Sequence, residues 1–139
     1  TLAGLAAGQA LSPAPVQLVG ISVWQKASTA YAETHRLMQS LLAKLGAAKE
    51  VEGEFLIYDE YIGSKYGVPS REGIRATRLL ARTEGLLVDP VYTAKALAGV
   101  IDRTRRGDWK GKRVLFWHTG GTPAIFTHAE TLMDEVNRE

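Results

Sequence analysis

A chain of 139 residues with 45% apolar content is long enough to bury a core and too apolar for a disordered or fibrous segment. Its 17 basic residues stand against 15 acidic ones, and a net charge of +2 is too small an imbalance to mark a nucleic-acid surface. Cysteine is absent, which excludes disulfides, a thiolate nucleophile and a thiolate metal site within these residues and suits a reducing, cytoplasmic setting.

The opening Thr1-Leu2-Ala3-Gly4-Leu5-Ala6-Ala7-Gly8 is apolar but has no basic leader, so it does not read as a signal peptide. No apolar run reaches the roughly 20 residues that a membrane-spanning helix needs. Small and apolar residues from Leu2 to Leu11 predict an Ala-rich helix, closed by Ser12-Pro13-Ala14-Pro15. Val16 to Trp24 is a β-branched, uncharged run, which predicts a strand covered on both faces. From Thr29 to Leu45, Leu37, Leu41, Leu42 and Leu45 recur at helical spacing, with Gly46 placed to end the helix.

Glu54 to Tyr58 predicts a second strand, and the Gly- and Tyr-rich stretch from Tyr61 to Pro69 a loop. Ser70 is placed to cap a helix running to about Thr83, with Ile74, Thr77, Leu79 and Leu80 on its apolar side and Gly85 at its end. After the short apolar segment Leu86 to Val88 comes Asp89-Pro90. A helical pattern then resumes from Val91 to Arg105 through Ala94, Leu97, Ala98 and Ile101. The cations from Arg103 to Arg106 suit a helix C-terminus, and Lys110, Lys112 and Arg113 the loop after it. Val114 to Trp117 predicts another buried strand, halted by His118-Thr119-Gly120-Gly121. Strands alternating with helices give an α/β fold with a mostly parallel sheet flanked by helices, read as one unit over 1–139. Ligands of such sheets sit at the carboxyl ends of strands, which directs attention to the loops after Tyr58 and Trp117.

Each chemical signal has a plain structural counterpart. Paired glycines at Gly120 and Gly121 let backbone approach a planar ligand, and they also suit an ordinary strand-to-helix turn. Tyr92 projects from the first turn after Asp89-Pro90, where Asp89 serves equally as a helix cap. Tyr66 is a turn aromatic. Thr1 stands at a helix N-terminus, whose free N–H groups suit an anion. His35, His118 and His128 lack metal-ligand spacing, and His35 and His128 read as surface or packing residues.

Four segments taken together resemble one family. Thr1-Leu2-Ala3-Gly4-Leu5 is similar to the end of a Gly-Ser-Gly-Gly-Thr-x-Ala-Gly loop, and Tyr66-Gly67-Val68-Pro69-Ser70-Arg71-Glu72-Gly73 to Tyr-Gly-(Val/Leu)-Pro-Asn-x-Glu-Gly, with Ser70 in place of Asn. Glu84-Gly85-Leu86-Leu87-Val88-Asp89-Pro90-Val91-Tyr92-Thr93 and His118-Thr119-Gly120-Gly121 complete the set. The chain resembles the C-terminal portion of pyridoxal-phosphate (PLP) enzymes of the D-cysteine desulfhydrase and 1-aminocyclopropane-1-carboxylate (ACC) deaminase family, which share the tryptophan synthase β-subunit type of fold.

The resemblance implies PLP as cofactor, with Thr1 and Leu2 at its phosphate, Thr119 facing the pyridine nitrogen, and Thr93 and Gly120 also binding it. It implies Tyr66 and Tyr92 on the substrate side as catalytic residues, a small amino-acid substrate, and a cytoplasmic homodimer with no nucleic-acid or membrane partner. The lysine that holds the cofactor is expected upstream of Thr1, and the isolated chain is expected to be inactive. Lys95 corresponds to a family lysine other than that anchor. ACC deaminases usually carry Glu after the Tyr and Leu in the His-Leu-Gly-Gly motif, whereas Thr93 and Thr119 stand here. A hydroxyl lacks the charge that would keep the ring nitrogen protonated, which favours β-elimination from D-cysteine, to pyruvate, ammonia and sulfide, over ring opening. ACC deaminase and cysteate sulfo-lyase remain alternatives within the chemistry; a non-catalytic α/β ligand-binding module and a purely structural fragment remain outside it.

Overall fold

The computed structural model describes residues 1–12, 14–47 and 54–137, which fall into two compact units, Thr1–Asp59 and Glu60–Glu139. The first begins with α1 (Leu2–Leu11), followed by β1 (Leu18–Ile21), α2 (Ala27–Lys44) and β2 (Phe55–Tyr58). The two strands pair in parallel, Leu18 opposite Phe55 through Ile21 opposite Tyr58, so β1, α2 and β2 make one crossover unit. The core joins Ala6 and Ala7 of α1, Met38 and Leu42 of α2, and Phe55 of β2. Small residues bring α1 close to the sheet: a Cβ on Gly20 would stand 2.7 Å from Leu2 Cδ2. Asp59, just past β2, accepts a hydrogen bond from the Ala27 N–H at 2.9 Å and so caps α2 from a distance.

The second unit contains α3 (Arg71–Glu84), α4 (Thr93–Arg106) and the short helices α5 (Ala124–Thr127) and α6 (Ala129–Asn137). Here α3 packs on α4 through small side chains, and Ala76, Val88, Ala94, Leu97 and Ala98 form the core. Gly73 sits at this interface, where an added Cβ would lie 3.5 Å from the Cβ of Ala94. Ser70 Oγ accepts from the Gly73 N–H at 3.1 Å at the start of α3, and Gly85 ends that helix at φ 68°. The last turn of α4 carries Arg103, Arg105 and Arg106, as the cation cluster predicts. Among the described residues no helix is long and apolar enough to cross a membrane.

The helices follow the sequence pattern closely, and the α/β class with a parallel sheet holds. The strands depart from it. Residues Val114 to Trp117 form no strand among the described residues, and Leu115 is 83% exposed, where burial is expected. The run has strand-forming side chains, but a strand also needs a hydrogen-bonding neighbour, and among the described residues the one sheet is that of β1 and β2 in the first unit. Likewise β1 covers only Leu18–Ile21 and is half-buried, with Val16 and Trp24 exposed, because its one partner is β2. In α2 the buried face runs through Met38 and Leu42, leaving Leu37 and Leu45 outside. Pro13, expected to close α1, lies outside the described residues; the helix ends at Leu11.

Candidate active site

The turn into α4 is organised by one carboxylate. Pro90 restricts the backbone, and Asp89 beside it is fully buried. Its Oδ1 accepts from the N–H groups of Val91 at 2.9 Å and Tyr92 at 2.7 Å, and its Oδ2 from the Thr93 N–H at 2.8 Å and the Thr93 hydroxyl at 2.6 Å. Thr93 Oγ1 in turn accepts from the Asp89 N–H at 2.9 Å. Burial by itself pushes the Asp89 carboxyl upward, but the hydroxyl of Thr93 and the three N–H donors outweigh it and hold the group below its ordinary range. With four donors on two oxygens, this carboxylate is structural rather than a base. Thr93, expected to bind the cofactor, has its hydroxyl engaged in both directions with Asp89.

The same turn projects Tyr92 outward. Its hydroxyl is in short hydrogen-bond contact with that of Tyr66, and the rings meet edge to face with centroids 6.0 Å apart. The tyrosines are 45% and 52% exposed, so both hydroxyls stand where a ligand could reach them. The hydrogen bond with Tyr66, then burial, then electrostatic coupling to Tyr66 and Asp89 hold the Tyr92 hydroxyl to its proton above the ordinary tyrosine range. Tyr66 reaches this position from a loop turned by Gly63 and Gly67, at φ 76° and 79°. Lys95 of α4 holds that loop: its Nζ donates to Ile62 O at 2.6 Å and lies 3.4 Å from Lys65 O.

The loop after Trp117 is pinned to the same turn. Gly120 N–H donates to His118 Nδ1 at 3.0 Å, which leaves the proton of the neutral imidazole on Nε2, donating to Leu87 O at 2.9 Å. Gly121, at φ 89°, presses on Asp89: a Cβ there would lie 2.8 Å from Oδ2. Gly120, at φ 93°, differs, since nothing lies within 4 Å of where its Cβ would stand. One glycine seats the loop, and the other leaves open backbone next to the exposed Thr119.

Tyr66, Tyr92, Thr93, Thr119 and Gly120 thus all lie in the second unit, on segments tied to the start of α4. Thr1 and Leu2 belong to the first unit. Thr1 is the N-cap of α1, exposed and without a side-chain cap bond, so the first N–H groups of that helix are open to an anion. A groove of about 470 Å³ between α3 and α4, lined by Tyr61, Arg75, Leu79, Ile101 and Asp102, includes neither tyrosine of the pair nor Thr119. Among the described residues there is no cluster of three His, Asp or Glu side chains suited to a metal. Sequence reasoning missed His118 as the fastening of the glycine loop and Lys95 as the clamp. The one available signal was a lysine on the buried face of α4, between Ala94 and Leu97.

Comparison with known proteins decides the family. The model of the pyridoxal-phosphate-dependent enzymes matches residues 1–120. The chain belongs to that family. It is 41% identical over 130 residues to the D-cysteine desulfhydrases of Yersinia pestis (strain Pestoides F) and Yersinia pseudotuberculosis serotype O:1b (strain IP 31758), covering 92% of this chain and 39% of each relative. The crystal structure of an ACC deaminase homologue superposes with a TM-score of 0.83 at 32% identity, over 97% of this chain and 40% of that one. The structural match places it within a PLP-enzyme fold of the tryptophan synthase β type, and the chain spans about two fifths of the length of these relatives. The family's cofactor is pyridoxal phosphate.

Proposed function

We propose that the enzyme of which this chain is part eliminates the β-substituent of a small amino acid, converting D-cysteine to pyruvate, ammonia and sulfide. The observation that carries the reading is the hydroxyl pair of Tyr66 and Tyr92, two exposed phenols in hydrogen-bond contact. A departing sulfur needs a proton as its bond to carbon breaks. A phenol that holds its proton tightly gives it up only as negative charge builds on the leaving group. The 41% identity to D-cysteine desulfhydrases supports the same reaction.

The residues present fit the cofactor. Gly120 offers backbone with no side chain or neighbour over it, a surface suited to a flat ring, and Thr119 beside it is exposed. When bound, PLP supplies an electron sink for the charge left at Cα once its proton is removed. Thr119 would face the pyridine nitrogen. An uncharged hydroxyl does not hold a proton there, and the moderated sink favours loss of a good leaving group over opening of a cyclopropane ring. Thr1 and Leu2, at the free N–H groups of α1, would hold the phosphate. Thr93 acts through Asp89, keeping the seat of Gly121 and Tyr92 in place.

The lysine that would carry the cofactor covalently lies, in this reading, outside these 139 residues. Lys95 is no substitute, being fully buried with its ammonium on loop carbonyls. The isolated chain therefore turns over no amino acid, and borohydride treatment with PLP leaves no stoichiometric adduct at a single lysine; such an adduct would overturn this part. The full-length enzyme is assigned to the cytoplasm as a homodimer, a state that sedimentation would check. The deciding assay gives it D-cysteine, ACC and cysteate side by side. Sulfide with pyruvate bears the proposal out, while 2-oxobutyrate or sulfite as the main product replaces it with ACC deaminase or cysteate sulfo-lyase activity.

A further inference from the structure

We propose that Lys95 is a positioning residue, fastening the loop from Ile62 to Lys65 onto α4 and thereby setting Tyr66 against Tyr92. Lys95 is 0% exposed, and among the described residues no carboxylate lies within ion-pair distance of its ammonium. Burial without such a partner pushes its pKa below the ordinary lysine range. Packing alone does not account for a lysine here, because a methionine would fill similar space without carrying a charge out of water. What a methionine would lack, and the ammonium supplies, is the link to the carbonyls of Ile62 and Lys65.

Those carbonyls flank the turn at Gly63. An added Cβ on Gly63 would stand 3.8 Å from Lys95 Nζ and 3.1 Å from Ser70 Cβ, so the loop is held between Lys95 and the cap of α3. Tyr66 follows Lys65 directly in the chain. Tyr92 precedes Lys95 by three residues, within about one turn at the start of α4. One ammonium thus ties the turn that bears one phenol to the loop that bears the other. The catalytic meaning of this clamp rests on the function proposed above; the clamp itself rests on geometry.

The test follows the titration of Tyr92 in the intact chain by the NMR shift of its Cζ, in wild type and in the variants Tyr66→Phe, Lys95→Met and Gly63→Ala. In wild type Tyr92 titrates above an ordinary tyrosine. Tyr66→Phe removes the largest cause of that rise, and Lys95→Met removes it equally while the chain stays folded. If Lys95→Met keeps the wild-type titration while Tyr66→Phe abolishes the rise, the loop is held without Lys95 and the inference fails, with the functional reading intact. If Tyr66→Phe leaves Tyr92 unmoved, the hydroxyls are not paired in solution, and both the inference and the tyrosine part of the function fall. Should Lys95→Met not fold, Gly63→Ala decides, because it strains the turn between the two carbonyls while Lys95 itself stays in the chain. The Lys95 ammonium resonance and the Tyr92 titration then shift together; movement of one without the other overturns the clamp.

Discussion

Gly121 rests directly on Asp89, so closely that a Cβ on the glycine would lie 2.8 Å from Oδ2 and 2.9 Å from Cγ of the carboxylate. The contact joins the glycine loop after Trp117 to the turn that presents Tyr92, 29 positions earlier in the chain by their residue numbers. Asp89 cannot step aside, since both its oxygens are engaged by the first residues of α4.

The two neighbouring glycines therefore respond differently to the same substitution. Gly120→Ala meets open space and suffers only from its positive φ, a cost of about 1 kcal/mol. Gly121→Ala meets both the positive φ and the fixed carboxylate, and loses roughly 2–4 kcal/mol. Urea denaturation of the two variants measures the gap; equal losses would show that the loop does not sit on Asp89.

Asp89→Asn places an amide N–H against donors that need an acceptor, and costs about 2–4 kcal/mol near neutral pH. The pH dependence has a definite sign. Because the folded state holds the Asp89 carboxyl below its ordinary value, its stabilisation is fully present above the unfolded pKa of about 3.9 and is lost as pH falls through the lower folded value. The stability gap between wild type and Asp89→Asn accordingly shrinks below about pH 4. Denaturation midpoints taken from neutral to strongly acid pH check this, and a gap that stays constant would remove Asp89 from the account.

Thr93 is a donor and an acceptor at once, so loss of its hydroxyl matters more than loss of its methyl group. Thr93→Val is expected to cost about 1–3 kcal/mol and Thr93→Ser less than about 1 kcal/mol. Thermal melting of the pair tests it. The opposite ranking would mean that packing around the β-branched side chain outweighs the hydrogen bonds.

If the proposed elimination is the reaction of the full-length enzyme, Tyr66→Phe or Tyr92→Phe is expected to lower kcat on D-cysteine by about 10²-fold, with KM changed only a few-fold. The double variant loses little more than the worse single one, because the two phenols act as a unit. On β-chloro-D-alanine, whose chloride departs without a proton, the losses shrink to a few-fold. Equal losses on both substrates would assign the tyrosines to binding rather than to proton delivery.

What the sequence by itself determined lies within short reach along the chain. The Ser70 cap, the Gly85 stop and the cationic end of α4 are interactions over about four residues, and each stands where the pattern places it. The family motifs are also local, which is why they are readable in order without coordinates. Tertiary structure decided the rest. Lys95 reaches Ile62 across 33 residues and His118 reaches Leu87 across 31. No local pattern distinguishes a lysine in water from one that clamps a loop. Likewise Val114 to Trp117 has the residues of a strand, but pairing depends on a neighbour that periodicity cannot supply. Local propensity places elements and their ends; which backbone meets which side chain is settled only when distant segments close on one another.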